Sequence, residues 1–260
     1  MSEISEFLKA TLWIYGESVK SATQGIFRNW NIVLGSLGLY GVLLFASVLL
    51  QPLGMLGGLF LGVIQIALLT LYYSWLSQTV DKDKISWKGL LHFDFSLFFI
   101  VISVAFILSI GDLLFVQVLG KSEAMAWVPR VFSLIVFLVF NSLPEVIHQH
   151  RIESIPAFGK AFEFNKENWI EWHLPLLIFL SPILLISPMG ALGLIVGAQV
   201  LLPVFVVMSA TTVFLPDMAF ITGLITLFIG HWYMLFRAHL FKELESGTRR
   251  RRIYQMKQRG

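Results

Sequence analysis

The residues best suited to chemistry form a polar run at positions 141–151. If this run is helical, Glu145 and His148 lie three residues apart on one face, with a carboxylate beside an imidazole. Together with His150, they could supply oxygen and nitrogen ligands to a divalent metal ion. A metal site also needs ligands from a second segment, and no matching Glu/His pair occurs elsewhere in the sequence. The pattern therefore favours a solvated, hydrogen-bonded end of a helix, and we predict no cofactor.

Few other ionisable residues lie within apolar segments, where a charge costs about 2.5–3.5 kcal/mol to insert into a bilayer. Asp112 follows Gly111 near the end of one such segment and is a candidate for a transport role. His231 and Arg237 lie near Trp232, which is typical of interfacial anchoring in which the arginine reaches out to water. The sequence has no cysteine and none of the Gly-x-Ser-x-Gly, His-Glu-x-x-His or phosphate-loop patterns of many enzymes. We therefore expect a protein without catalytic activity.

The composition is that of a membrane protein. Hydrophobic residues make up 57% of the 260 positions and charged residues 13%, whereas soluble domains contain about 25% charged residues. The absence of cysteine, of an Asn-x-Ser/Thr acceptor and of a signal-peptide pattern suits a bacterial inner membrane, with the N-terminus in the cytoplasm. The net charge of +3 is concentrated in short loops and in the arginines at 249–252, so it indicates topology and not nucleic-acid binding.

The apolar segments predict an all-α, polytopic helix bundle with six or seven spans. We expect the first four spans at about 30–50, 53–76, 95–115 and 128–143. The first two form a hairpin around a tight turn at Gln51-Pro52. The lysine-rich loop at 81–88 is then cytoplasmic by the positive-inside rule.

The number of later spans depends on the run at 174–240, which is broken at Pro188 and again at Pro216. Counting all three resulting segments gives seven spans and places the arginines at 249–252 outside. Six spans keep both ends of the chain in the cytoplasm, which we favour. The segment 174–187 contains two prolines and could be a re-entrant helix.

Two amphipathic helices are predicted to lie in the cytoplasmic interface. The first covers about residues 3–26, and the second begins near Ser154, a candidate N-cap. Apolar residues at helical spacing define the expected membrane face of the first, notably Leu8, Leu12, Tyr15, Val19, Ala22 and Ile26. The corresponding residues of the second are Ile155, Phe158 and Phe162.

The chain also shows an internal repeat. Glu17-Ser18-Val19 recurs as Glu153-Ser154-Ile155, and the peptide at 52–57 recurs at 188–193. In each copy, Asn-Trp leads from the amphipathic helix into an apolar segment. We therefore predict two parallel-related repeats, at 1–144 and 145–240, followed by a basic cytoplasmic tail at 241–260.

Glycines and tryptophans have expected structural roles. Glycines on apolar helices allow close approach of a second helix, or close packing inside the hairpin itself. The candidate association residues are Gly54, Gly57, Gly58, Gly62, Gly190 and Gly193. Indole rings favour the membrane–water interface. The predicted interfacial anchors are Trp30, Trp169, Trp172 and Trp232.

This layout, together with the closing segment from Trp232-Tyr233-Met234 to Lys242-Glu243-Leu244, resembles the membrane domain attached to some bacterial glycerophosphodiester phosphodiesterases and its stand-alone multi-pass relatives. The resemblance implies a helical membrane domain across most of the chain. No soluble phosphodiesterase barrel fits in the remaining loops, so the resemblance does not extend to catalysis.

The function that the sequence favours is that of a non-catalytic integral membrane subunit or scaffold. Its expected partners are the bilayer and other membrane protein subunits, or a second copy of the chain, and not nucleic acid. One alternative is a small-solute permease or exporter with a path between the two repeats, for which Asp112 and Pro188 are the test positions. The other is a membrane-embedded, lipid-handling enzyme that uses Glu145, His148 and His150.

Overall fold

The computed structural model describes residues 3–82, 84–119, 128–186 and 219–247, together with Tyr254 and Gln258. All regular structure in these residues is helical, which confirms the predicted all-α class. The helices are α1 (Glu3–Arg28), α2 (Trp30–Leu50), α3 (Gly54–Lys82), α4 (Trp87–Leu90), α5 (Phe95–Leu119), α6 (Val128–Phe140), α7 (Leu143–Glu145), α8 (Ser154–Glu167), α9 (Trp169–Ile186) and α10 (Ala219–Glu245). The last helix extends past residue 240, where we expected the basic tail to begin.

Helices α2 and α3 form the predicted hairpin. A 3₁₀ turn at Gln51–Leu53 carries Pro52 in its first positions, and Gly54 follows with a φ of 55° that only glycine adopts without strain. At the other end of the arms, Asn31 Nδ2 donates to the Ile85 carbonyl at 3.1 Å. The two arms therefore run side by side from the contact at Asn31, which marks the base of the hairpin, to the turn.

Two stretches of the described residues are long and apolar enough to cross a membrane, Trp30–Lys82 and Trp87–Gly111. The first contains the hairpin turn and hence two antiparallel arms. A bent pair, Val131–Phe140 and Leu143–His150, meets the same test across a 44° break and raises the number to three. Helix α9 is continuous through both of its prolines. The rest of the run at 174–240, from 187 to 218, lies outside the described residues.

Most of the hydrophobic core lies around α10, at the end of the bundle opposite the hairpin turn. Helices α1, α3, α5, α8 and α9 contribute to it, and so do residues on both sides of the predicted boundary at 144/145. Its largest fully buried side chains include Tyr73, Ile100, Leu143, Met234 and Phe241. By contrast, the distal half of the hairpin exposes apolar side chains such as Phe45, Val48, Met55, Leu59 and Phe60.

Helix α1 packs along α10, and only part of the predicted stripe, Ala22 and Ile26, is buried. Ala10, Ile14, Ala22 and Ile26 are buried. Leu8, Leu12 and Val19 of the predicted stripe are exposed. The apolar surface of α1 is thus wide enough to be buried in part by the protein, while Leu8, Leu12 and Val19 point away from it.

The second amphipathic helix, α8, shows the same division. Ala157, Ala161 and Phe164 are buried, while Ile155 and Phe162 of the predicted stripe are exposed. The prediction of Ser154 as N-cap is wrong, because the helix begins at Ser154 and Glu153 takes the extended conformation of the capping position. The Glu153 side chain makes no capping hydrogen bond.

The two Asn-Trp steps have the same local geometry. Asn29 (φ −121°, ψ 40°) ends α1 and Asn168 (φ −119°, ψ 26°) ends α8. In each, the side-chain amide donates to the carbonyl four residues earlier, at 3.0 Å to Gly25 and 3.1 Å to Phe164. Asn29 Oδ1 also accepts the Ile85 N–H at 2.7 Å, which ties this step to the base of the hairpin.

Replacing Asn29 with alanine should therefore destabilise the protein by about 2 kcal/mol, because the buried Ile85 N–H loses its acceptor. Thermal unfolding in detergent, followed by intrinsic tryptophan fluorescence, measures the change. Gln24→Ala, at an exposed position of the same helix, is the control and should leave stability unchanged. Equal stability of the two variants would contradict the role of Asn29.

Candidate functional site

A buried arginine is the centre of the most organised polar cluster in the described residues. Arg237 lies in α10 and is only 2% exposed, so the prediction that it reaches out to water is wrong. Its Nε and Nη2 donate to the two carboxylate oxygens of Glu145, each at 2.8 Å. Its Nη1 donates to Asn141 Oδ1 at 2.7 Å, and Nη2 also donates to the Asn141 carbonyl. All three guanidinium nitrogens are therefore used.

The chain geometry at 141–145 brings the acceptors to this arginine. Helix α6 ends at Phe140, Asn141 and Ser142 form a turn, and α7 then places Glu145 inside the bundle. Asn141, Ser142 and Glu145 are all buried. The expectation of a solvated helix end is thus wrong, because the break in the helix turns its polar side chains inward to meet Arg237.

Trp172 completes the cluster. The guanidinium carbon of Arg237 lies 4.8 Å from the centre of the Trp172 ring, within the range of a cation–π contact. Trp172 is buried, so its predicted role as an interfacial anchor is wrong. Trp30 and Trp169 are exposed, and their role as anchors stays a prediction. Trp232 is half-buried, and its Nε1 donates to Thr23 Oγ1 at 3.1 Å.

A π-helical turn at Val146–His150 follows Glu145 and ends at Arg151, whose φ is 54°. Such turns often occur at functional sites because the wider helix re-aims its side chains. Here the turn buries His148, whose ring centre lies 5.8 Å from that of Tyr73. Neither ring nitrogen of His148 has a hydrogen-bond partner, although a neutral imidazole has both a donor and an acceptor.

The three predicted metal candidates are used in different ways. Both oxygens of Glu145 accept from Arg237, and His150 Nε2 lies 2.6 Å from Glu245 Oε2. His148 lies between these two residues in sequence, and its ring nitrogens have no hydrogen-bond partner. Among the described residues, no three His, Asp or Glu side chains are grouped as metal ligands would be. The arrangement instead serves as a clamp between α7 and α10.

Surface ion pairs surround this buried clamp. Arg151 pairs with Asp94 at 2.8 Å, and Lys160 pairs with Glu245 at 2.7 Å. These contacts join the start of α5, the segment after the π-helical turn, α8 and the end of α10. Three parts of the chain that are distant in sequence, at positions 94, 151–160 and 245, thus meet at one end of the molecule.

Helix α1 is tied to the same end through Tyr15. Its hydroxyl donates to the carbonyl of Glu171 in α9 at 2.7 Å. Burial raises the pKa of the Tyr15 phenol, and the nearby Glu171 carboxylate raises this pKa further. The phenol therefore stays protonated and keeps its donor over the physiological pH range.

His231 forms a second buried polar contact, further along α10. Its Nδ1 lies 3.0 Å from the Tyr72 hydroxyl of α3. The residue is only 1% exposed, so it does not serve as the exposed interfacial anchor that we expected. His173 is also buried, with each ring nitrogen 2.9 Å from a backbone carbonyl.

The hairpin glycines fall into two groups. A Cβ on Gly57 would lie 2.1 Å from the Leu50 carbonyl oxygen, so this glycine serves packing within the hairpin. A Cβ on Gly58 or Gly62 would meet nothing within 4 Å. Gly54 has the same open surroundings but is required by its positive φ. Gly190 and Gly193 lie outside the described residues.

Gln65 is a residue that the sequence reasoning missed. It lies on α3 at the i+7 position from Gly58, so Gly58, Gly62 and Gln65 share one face of the helix. Its side chain is exposed and is the only polar one in the stretch 54–69 of the helix. The spacing of two glycines and a glutamine was available in the sequence and could have identified this face.

The fold and the site together define an all-α protein with apolar helices of membrane-crossing length and an internally satisfied ion pair. Comparison with protein-family models, curated proteins and solved structures finds no match. The resemblance to the phosphodiesterase membrane domain therefore stays a prediction. Of the two permease test positions, Pro188 lies outside the described residues, and so does the side chain of Asp112.

Proposed function

We propose that the protein is a non-catalytic, multi-pass subunit or scaffold of a bacterial inner membrane, with both ends of the chain in the cytoplasm. It packs against a transmembrane helix of another subunit, or of a second copy of the chain, through the distal part of the α2–α3 hairpin. The observation that carries this proposal is a face of α3 with open space at Gly58 and Gly62 and an exposed Gln65. We call it the association face.

The association face has the chemistry of a membrane helix contact. Its glycines leave open space in which the backbone of a second helix can approach closely, as in small-xxx-small motifs. Gln65 offers an amide that finds no water in hydrocarbon, and a partner helix can supply hydrogen bonds worth about 0.6–2 kcal/mol. Lipid chains fill open space but cannot satisfy an amide. A protein partner therefore suits this face better than lipid does.

The ion pairs at the base of the bundle support six spans over seven. Lys160, before α9, contacts Glu245, at the end of α10, at 2.7 Å. The chain therefore leaves the base of the bundle and returns to it, which requires an even number of crossings in between. The paired arms of the hairpin and the pair formed by α5 and α6 add four more crossings. Both chain ends then lie on the same side of the membrane as the positively charged loops.

The matching Asn-Trp steps support two related repeats, 1–144 and 145–240. Each step uses the same backbone angles and the same side-chain bond to end an amphipathic helix and begin an apolar one. The Arg237 clamp then joins the two repeats, because Asn141 comes from the first while Glu145 and Arg237 come from the second. Its role is to hold the base from which the hairpin projects.

The proposal predicts that Gly62→Leu abolishes association without unfolding the protein. A leucine side chain fits the open space in the monomer but blocks close approach of a second helix. Gln65→Leu should weaken association by about tenfold, since it removes the amide and keeps the volume. Gentle extraction from the native membrane, followed by native mass spectrometry, measures the share of the protein that remains bound to a partner.

Gly111→Leu is the matched control, because a Cβ at Gly111 of α5 also meets nothing within 4 Å. This variant should associate as the wild type does. If Gly62→Leu and Gly111→Leu retain the same partner to the same extent, the association face is not where that partner binds, and the proposed function loses its main support.

A further inference from the structure

A groove of about 230 Å³ lies between α1 and α10, away from both the Arg237 clamp and the association face. Its lining consists of Thr23, Ile26, Phe27, Phe228, Ile229 and Trp232. Ile26 is fully buried and forms the floor. The rings of Phe27 and Phe228 lie 6.2 Å apart between centres and form one wall. We infer that this groove holds one acyl chain of an anionic phospholipid, with its phosphate at Lys20.

The lining offers a ligand no free polar group. The Thr23 hydroxyl donates to the Val19 carbonyl at 2.7 Å and accepts from Trp232 Nε1 at 3.1 Å. These two bonds satisfy both polar side chains of the groove. All other contacts available to a ligand are with aliphatic or aromatic carbon, so the groove selects hydrocarbon.

The groove is too small for a protein segment. A helix with its side chains is about 10–12 Å wide and would need a far larger trough. A flexible acyl chain is much narrower than a helix, and Phe27 and Ile229 both line the groove that it would enter. Both residues are partly exposed, at 69% and 38%, so the groove is open along its outer side.

The surroundings place the groove next to lipid. Helix α1 continues from it with the exposed apolar residues Leu8, Leu12 and Val19. At its other end, the exposed Trp30 begins α2 and packs edge-to-face with Trp87, and tryptophan is enriched at membrane interfaces. The groove thus opens where the amphipathic helix passes into the first apolar helix.

Lys20 explains the choice of an anionic lipid. It is exposed and lies one helical turn before Thr23, at the end of the groove nearest the polar part of α1. A lysine ammonium binds phosphate as a point charge, and each basic residue near an anionic surface contributes about 1 kcal/mol. This inference concerns a lipid site on a different face from the association face, and it can fail while the proposed function stands.

Titration of the detergent-purified protein with dioleoyl phosphatidylglycerol, followed by native mass spectrometry, tests the site. The wild type should retain one lipid per chain. Ile229→Trp fills the groove and should weaken binding at least tenfold. Ile225→Trp makes the same change one turn away, at an exposed position of α10 outside the lining, and should bind as the wild type does. Equal binding by the two variants would overturn the site.

Two further variants complete the test. If Ile229→Trp does not fold, Phe27→Ala replaces it, since this residue is largely exposed and its loss removes the outer wall. Lys20→Gln should reduce phosphatidylglycerol binding to the level of dioleoyl phosphatidylcholine. Equal affinity of the wild type for these two lipids would overturn the headgroup assignment, and a wild type that retains neither would overturn the inference as a whole.

Discussion

Replacing Arg237 with methionine should destabilise the protein by about 3–5 kcal/mol, the cost of leaving one partner of a buried ion pair alone. Methionine fills much of the space but leaves the Glu145 carboxylate buried without a counter-ion. It also removes the donors to Asn141 and the cation over the Trp172 ring. Urea unfolding in a mild detergent, followed by tryptophan fluorescence, measures the loss of free energy of unfolding.

A double variant and a surface control make this prediction specific. Arg237→Met combined with Glu145→Leu removes both charges and should recover most of the lost stability, because apolar replacements of buried pairs are often neutral. Lys242→Met breaks an exposed pair with Asp81, at 3.7 Å, and should have little effect. Wild-type stability of the single Arg237 variant would show that the clamp does not hold the base together.

Gly57→Ala should destabilise the protein by about 3 kcal/mol, at the upper end of the range for overpacked sites. The new Cβ would lie 2.1 Å from the Leu50 carbonyl oxygen, a backbone atom that cannot rotate away. The 3₁₀ turn between the arms must therefore shift to admit it. The free energy of unfolding in the same detergent reports the cost.

Gly58→Ala is the matched control, one residue further along α3. Its Cβ meets nothing within 4 Å, and alanine is the better helix former, so this variant should be unchanged or more stable by about 0.5–1 kcal/mol. A reversed order, with Gly57→Ala the more stable of the two, would mean that the arms do not meet at Gly57.

The hairpin was predictable because its signals are local. Two apolar segments separated by Gln51-Pro52, with Gly54 just beyond, specify a turn through the fixed φ of proline and the freedom of glycine. The Arg237–Glu145 pair was not predictable in this way. Its partners are 92 positions apart. Nothing near Arg237 in the sequence distinguishes a buried arginine from one that reaches the interface.

The faces of α1 and α8 show a second limit of sequence reasoning. Apolar periodicity identifies the residues that avoid water. It does not distinguish residues that face lipid from residues that pack inside the protein, because both environments exclude water. In α1, which packs along α10, the small residues Ala10 and Ala22 are buried, while Leu8 and Leu12 are exposed. The preference for small residues at helix contacts in membranes could have separated the two faces. Polar side chains such as glutamine also form hydrogen bonds between membrane helices, which identifies Gln65 as a candidate contact residue.

The central claim is that the association face binds another transmembrane helix, and site-specific cross-linking in intact membranes tests it most directly. Because the chain has no cysteine, a single cysteine can carry a thiol-reactive photo-cross-linker. We place it at Met55, an exposed residue one turn before Gly58 on the same side of α3, so that the space at Gly58 and Gly62 stays open. The same label at Leu114, an exposed residue of α5, serves as control. We predict that Met55→Cys gives a stoichiometric adduct, to a specific membrane protein or to a second copy, and that Leu114→Cys does not. Recovery of uncross-linked chain alone from both variants would contradict the claim.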